Sequence, residues 1–78
     1  MATKRLSEMK AEYAKMLKDL RWSDRFVLKF AGYDQLRETH RAYEATRALV
    51  NPVSIYLLEA ARLKRNIERR KAALSHAH

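Results

Sequence analysis

The dipeptide Asn51-Pro52 constrains the fold of this chain more than any other feature, because it interrupts a sequence that elsewhere has helical periodicity. Asn is a favoured N-cap residue, and Pro at the first helical position has no backbone N–H to leave unpaired. Val50 and Ile55 occupy the two positions of a hydrophobic staple around this cap. The sequence therefore predicts that a helix begins at about residue 52 and that the chain turns immediately before it.

Apolar residues recur at helical spacing through the rest of the chain, which contains only one Gly and one Pro in 78 residues. This pattern predicts long amphipathic helices over about residues 4–21, 24–31, 35–49 and 52–74. We expect an all-α fold, either a helical hairpin or a three-helix array, with residues 1–78 forming a single small domain. Such a short chain buries only roughly 60% of its unfolded surface, so we also expect that it is not fully self-contained.

The expected helix ends depend on capping residues. Thr3 is the predicted N-cap of the first helix, Gly32 is predicted to end the second in a left-handed conformation, and Asp34 is predicted to cap the third. The first break leaves two alternatives: either Ser23 or Asp24 caps a new helix, or the first helix continues through this point. We favour a kink or short break.

Two stretches carry more apolar side chains than a chain of this size can cover. Residues 22–31 are predicted to form a buried cluster, and residues 53–61 are apolar on nearly every side of their helix. Cysteine is absent, so disulfides cannot supply the missing stability, and a partner is the remaining source. We therefore predict that the surplus is buried against other subunits of a hetero-oligomeric complex. The predicted interface residues are Trp22, Phe26, Val27, Phe30, Val53, Ile55, Tyr56, Leu57 and Leu58.

The segment 62–71 gives the clearest indication of a partner type, because six of its ten residues are cationic. With a net charge of +8, the chain favours anionic partners. A helix with this charge can lie along a nucleic-acid backbone, in an acidic protein groove or on anionic lipid headgroups. It can equally be a solvated helix end whose cations complement the helix dipole. The candidate contacts are Arg62, Lys64, Arg65, Arg69, Arg70 and Lys71.

The sequence contains no recognisable catalytic constellation, so we expect neither enzymatic activity nor a cofactor. A Gly-rich phosphate loop needs several Gly residues, and the chain has one. His40 has Glu44 at i+4 as a conceivable partner, but two ligands do not complete a metal site. His76 and His78 belong to a terminal tail. We therefore expect no bound metal.

In its general build, a short basic chain of helices, the sequence is loosely similar to accessory proteins of the LYR type, which join respiratory complexes and mitochondrial ribosomes. Their signature tripeptide Leu-Tyr-Arg is absent. The nearest segments, Asp19-Leu20-Arg21-Trp22 and Gln35-Leu36-Arg37, lack the Tyr. The similarity therefore assigns no functional residue to this chain.

These observations favour a non-enzymatic structural or accessory subunit of a larger multisubunit assembly. A membrane-associated complex is slightly favoured, and a mitochondrial host is compatible with the sequence. The N-terminus lacks the long apolar run of a secretory signal, and the longest uncharged run, 48–58, has 11 residues where a membrane span needs about 20. We therefore expect an intracellular protein without a span of its own. The alternatives are a nucleic-acid-binding module or ribonucleoprotein component that uses residues 62–71, and a homo-oligomeric coiled coil through residues 6–20 and 53–74.

Overall fold

Four α-helices make up the part of the chain that the computed structural model describes, residues 5–46 and 53–76 without the side chain of His76. They are α1 (Leu6–Asp19), α2 (Trp22–Phe30), α3 (Tyr33–Thr46) and α4 (Ile55–His76). No strand occurs in these two ranges, so the predicted all-α class is confirmed. The expected cap at Thr3 lies outside the described residues, as do Val50, Asn51 and Pro52.

The last helix begins later than predicted, because a different residue caps it. The Leu57 N–H donates to the Ser54 side-chain Oγ at 3.0 Å, which is the hydrogen bond of an N-cap. The Leu58 N–H donates to the Ser54 carbonyl, also at 3.0 Å, as the first intrahelical bond. Ser54 is thus the N-cap of α4, which begins three residues after the predicted start at about residue 52.

The chain breaks between α1 and α2 at Leu20 and Arg21, whose backbones are extended with ψ angles of 148° and 155°. The favoured interruption is therefore present, but α2 already begins at Trp22. Arg21 occupies the N-cap position without a side-chain hydrogen bond. Ser23 and Asp24 lie inside the first turn of α2, so neither of them caps it as predicted.

The turn between α2 and α3 uses extended backbone rather than a left-handed Gly. Ala31 follows α2 with φ −112° and ψ 130°, and Gly32 does not adopt a left-handed φ. The Leu36 N–H donates to the Gly32 carbonyl at 3.1 Å, so α3 starts directly at Tyr33. The predicted left-handed end at Gly32 is therefore wrong, and Asp34 lies in the first turn of α3 instead of capping it.

The central element of the fold is α4, on which α1 and α3 pack. The Tyr56 hydroxyl donates to the Asp19 carboxylate at 3.2 Å, which joins the start of α4 to the end of α1. Tyr13, earlier in α1, lies near Glu68, later in α4, so the two helices run antiparallel. The buried core between the helices consists of Leu20, Leu28, Leu36, Val53, Leu57, Ala60 and Ala61.

Candidate docking surfaces

Three aromatic side chains project from one side of α2. Trp22, Phe26 and Phe30 follow one another at a spacing of four residues, which aligns them along a helix. Their exposed fractions are 74%, 50% and 74%. The rings of Trp22 and Phe26 stack with centroids 5.8 Å apart, and the centroids of Phe26 and Phe30 are 4.9 Å apart. We call this surface the aromatic ridge. The chain itself does not bury these three rings in a cluster, and their burial against another subunit stays a prediction.

The ridge faces outward because α2 is anchored by its opposite side. Leu28 is buried in the core, and at about 100° per residue it lies about 160° around the helix from Phe26. The Lys64 ammonium donates to the Leu28 carbonyl, which ties the same point of α2 to α4. Val27 and Ala31 are partly buried against the core. The aliphatic side of α2 therefore packs on the molecule and leaves the rings in solvent.

A line of cations runs beside the ridge. Arg25 and Lys29 directly precede the second and third rings in the sequence, so each lies about 100° around α2 from the ring that follows it. Arg21 precedes the first ring in the sequence, but it is the N-cap residue with extended backbone, so this angle does not apply to it. All three cations are exposed. This repeat of a cation before each ring is a local signal in the sequence that counting apolar residues does not reveal.

The apolar segment 53–61 is divided between the core and the surface. Val53 and Leu57 are buried, so these two predicted interface residues belong to the core of the chain itself. Leu58 is partly buried against that core. Ile55 is 66% exposed, and Tyr56 is 38% exposed. Val53 and Leu57 are four residues apart and therefore lie on the same side of the segment, which faces the core. Only the other side of the segment stays open to a partner.

Two of the six cations predicted to contact an anionic partner turn toward the chain itself. Lys64 bonds the Leu28 carbonyl, 36 residues away in the sequence. Arg65 Nη1 lies 3.3 Å from Asp34 Oδ1, 31 residues away, and its guanidinium lies 4.3 Å from the centre of the Tyr33 ring. Both side chains therefore attach the connection between α2 and α3 to α4. No local pattern predicts this role, because the partners are so distant in sequence.

The other four cations remain at or near the surface of α4. Three of them line a groove of about 770 Å³ between α1 and α4: Arg62, Arg69 and Arg70. The apolar floor of this groove includes Met9, Met16 and Leu63, and Glu12 and Glu59 bring acidic groups to its lining. Lys71 lines a separate depression that includes Tyr13. The four open cations are therefore divided between two depressions of the surface.

Two tyrosines at the contact between α1 and α4 have raised pKa values. Burial is the main cause of the raised pKa of Tyr13, and the carboxylate of Glu68 adds to it. Tyr56 is exposed, and partial desolvation of its hydroxyl is the first cause of its raised pKa, followed by the Asp19 carboxylate that accepts its hydrogen bond. Both hydroxyls therefore hold their protons to a higher pH than a free tyrosine does.

The described residues do not bring a metal-binding cluster together. His40 Nε2 lies 3.5 Å from Glu44 Oε1, one turn along α3. Within the described ranges no group of three or more His, Asp or Glu side chains could hold an ion. The side chain of His76 and all of His78 lie outside that description.

No family model matches this chain, and neither a curated protein nor a solved structure matches it. Among the described helices, none is both long enough and apolar enough to span a membrane. A function can therefore be inferred only from the surfaces of the molecule.

Proposed function

We propose that the protein is a non-enzymatic accessory subunit of a larger assembly and that the aromatic ridge is the surface through which it docks. The exposure of three large aromatic side chains on one side of α2 is the observation that carries this proposal. Contiguous apolar patches left open on a small chain mark interaction sites, because burying them against a partner releases the water that covers them. Ile55 adds an aliphatic group to the open surface.

The charge of the chain favours an assembly that presents anionic surfaces. The net charge is +8, and cations lie both beside the ridge and along the groove between α1 and α4. A membrane-associated complex supplies acidic headgroups for the first set and protein surfaces for the second. We therefore favour a membrane-associated complex over a ribonucleoprotein, and a mitochondrial complex is compatible with this basic chain.

Nucleic-acid binding through residues 62–71 is the second candidate, because Arg62, Arg69 and Lys71 are exposed. It is the weaker one. Lys64 and Arg65 are engaged within the chain, and the remaining four cations are divided between two depressions of the surface. Affinity for a nucleic acid falls steeply with salt, with a slope set by the number of phosphates contacted. Fluorescence anisotropy of a labelled oligonucleotide over a salt series measures this slope.

A homo-oligomeric coiled coil is disfavoured by the packing of the chain on itself. α1 and α4 pack on each other within one molecule, and Tyr13, Met16 and Leu17 of α1 lie against the core, so part of the apolar stripe of α1 is already engaged. We expect sedimentation equilibrium of the isolated chain to give the mass of a monomer at every concentration measured.

The test of the docking role compares the wild-type chain with Trp22→Ser/Phe26→Ser/Phe30→Ser in its native cells. Each tagged chain is purified under native conditions, and the particle that contains it is sized by native electrophoresis and identified by mass spectrometry. We expect the wild type in a larger particle and the ridge variant free, with unchanged helix content. Leu74→Ser, an exposed apolar position near the end of α4, is the matched control. A ridge variant that stays in the particle would contradict the proposal.

A further inference from the structure

We infer that the aromatic ridge is a lipid-binding surface that inserts among the headgroups of an anionic membrane. This inference rests on the proposed function, in which the ridge is the docking surface, and it names what the ridge docks on. It concerns the outward side of α2, so the groove between α1 and α4 stays open for protein contacts.

The ridge has the shape that shallow insertion needs. Leu28 attaches α2 to the core from behind, so the rings stand on the side that points away from the core. Between Trp22 and Phe30 the helix rises by about 12 Å, so the rings form an elongated line that winds by about 80° around the helix axis. A helix lying in a membrane interface buries its apolar side by about 5–10 Å, which large side chains reach without unfolding anything. Trp is, in addition, enriched at the headgroup level.

The charges around the ridge are complementary to anionic lipid. Arg25 and Lys29 lie beside the rings, each about 100° around α2 from the ring that follows it. Their long side chains can therefore reach headgroup phosphates at the depth where the rings insert. Asp24, the acidic residue of α2, lies about 160° around the helix from Phe26. The membrane-facing side of α2 is thus aromatic and cationic, and the carboxylate is kept away from it.

A protein groove matches the ridge less well, because the ridge is small. A fully buried aromatic side chain covers about 150–250 Å². With exposed fractions of 74%, 50% and 74%, the three rings offer roughly 400 Å². A stable protein interface takes about 800 Å² from each partner. Binding to a membrane has no such minimum area, since its strength grows with the apolar area inserted and with the attraction to anionic lipid.

Two other occupants conflict with the charges and the ring geometry. A second copy would bring its own Arg25 and Lys29 against those of the first, on molecules that each carry a net charge of +8. In a nucleic-acid complex the bases would have to stack on rings of which Trp22 and Phe26 already cover one face of each other, at an interplanar angle of 24°. Anionic lipid needs no free ring face and brings no cations against Arg25 and Lys29.

The chain contains its own probe for this test, because Trp22 is its only Trp and lies in the ridge. The full-length chain is titrated with vesicles of phosphatidylcholine alone and with vesicles that also contain phosphatidylglycerol. With phosphatidylglycerol we expect the Trp22 emission to shift to shorter wavelength and the chain to float with the vesicles. Phosphatidylcholine alone should produce neither change. Lipids brominated just below the headgroup should quench the emission.

Substitution of the two Phe residues tests the apolar part of the surface. Phe26→Ser/Phe30→Ser keeps the Trp22 reporter, and because both side chains are exposed, circular dichroism should show unchanged helix content. We expect the partition coefficient on phosphatidylglycerol vesicles to fall by roughly tenfold for each ring.

Substitution of two cations tests the charged part. Arg25→Gln/Lys29→Gln is expected to weaken binding by about fivefold for each charge. Arg37→Gln/Arg41→Gln removes the same number of charges from exposed positions of α3 and is the matched control. It should weaken binding clearly less, because it changes the net charge without changing the ridge.

Three results would overturn the inference. The first is a Trp22 emission whose wavelength does not change with either kind of vesicle. The second is flotation without a shift, which would assign lipid binding to the basic part of α4. The third is an equal loss for the two pairs of charge substitutions, which would show that only net charge matters. If the triple Ser variant is absent from the native particle while the Trp22 emission of the wild type is unchanged by lipid, then the ridge contacts protein. In that case the proposed function stands without this inference.

Discussion

The guanidinium of Arg65 in α4 lies 4.3 Å from the centre of the Tyr33 ring in α3. The same guanidinium reaches the carboxylate of Asp34 at 3.3 Å. Its neighbour Lys64 bonds the Leu28 carbonyl of α2. Two adjacent cations of α4 therefore hold both α2 and α3, and through Leu28 they contribute to the outward orientation of the ridge.

Replacing Arg65 by Ala is expected to lower the free energy of unfolding by about 1–2 kcal/mol, because it removes the cation–π contact and the packing of a partly buried side chain. Asp34→Asn is expected to change it by less than about 0.5 kcal/mol, since exposed ion pairs contribute little and the Asp34 side chain is 82% exposed. Urea titration followed by circular dichroism measures both, with the exposed Arg69→Ala as control. Equal losses for Arg65→Ala and Asp34→Asn would show that the ion pair, and not the ring, holds α3.

Ser54→Ala is expected to lower the free energy of unfolding by about 1 kcal/mol, because the Leu57 N–H loses its capping acceptor. Ser54→Asp should retain most of the stability, since Asp is as good an N-cap as Ser. Ser23→Ala, inside the first turn of α2, is the control and should change the stability by less than about 0.5 kcal/mol. If Ser54→Ala unfolds at the same urea concentration as the wild type, Ser54 does not start the helix in solution.

Leu57 and Ile55 provide a matched pair for the division of the segment 53–61. Leu57 is 1% exposed and Ile55 is 66% exposed, although they lie two residues apart. Leu57→Ala is expected to cost about 2–5 kcal/mol of stability, a large share of the roughly 5–15 kcal/mol of a native domain. Ile55→Ala should remain within about 0.5 kcal/mol of the wild type. Thermal unfolding of the two variants measures both losses of stability. Similar losses for Leu57→Ala and Ile55→Ala would refute the assignment of Leu57 to the core.

Alkaline pH is expected to weaken the contact between α1 and α4. The pKa values of Tyr13 and Tyr56 are raised above the ordinary 10.0, so the folded chain holds these two protons more tightly than the unfolded chain does. By linkage, the stabilisation from this difference is complete below pH 10.0 and is lost as the pH rises through the raised pKa values. Urea midpoints on both sides of this pH should fall more for the wild type than for Tyr13→Phe/Tyr56→Phe. A parallel decline in both chains would assign the effect to other groups.

The positions of the helices could be predicted to within a few residues, and the errors fall where capping residues compete. Asn51 and Ser54 are both favoured N-cap residues three positions apart, and local preference does not decide between them. Gly32 permits a left-handed turn without requiring one, so its presence did not establish the conformation that follows α2. A helix begins at the residue whose capping hydrogen bond forms in the folded chain. Which of two candidate caps forms this bond depends on how the neighbouring helices pack.

For the candidate surfaces, the sequence predicted the residue types better than their exposure. The three rings of the ridge were expected to be buried, and two of the nine predicted interface residues, Val53 and Leu57, lie in the core of the chain. Likewise, Lys64 and Arg65 resemble their cationic neighbours in sequence but are engaged inside the molecule. Their partners lie 36 and 31 residues away, beyond the reach of any helical pattern.

What the sequence by itself determined is that the described chain is helical and which side chains share a side of each helix. Periodicity is a local property, because residues four apart lie one turn above each other whatever surrounds them. It therefore places Trp22, Phe26 and Phe30 in one line. Only the tertiary structure decided which side of α2 meets the core, through the burial of Leu28 and its bond to Lys64. Burial depends on contacts between distant segments, so a count of apolar side chains cannot predict where each one goes.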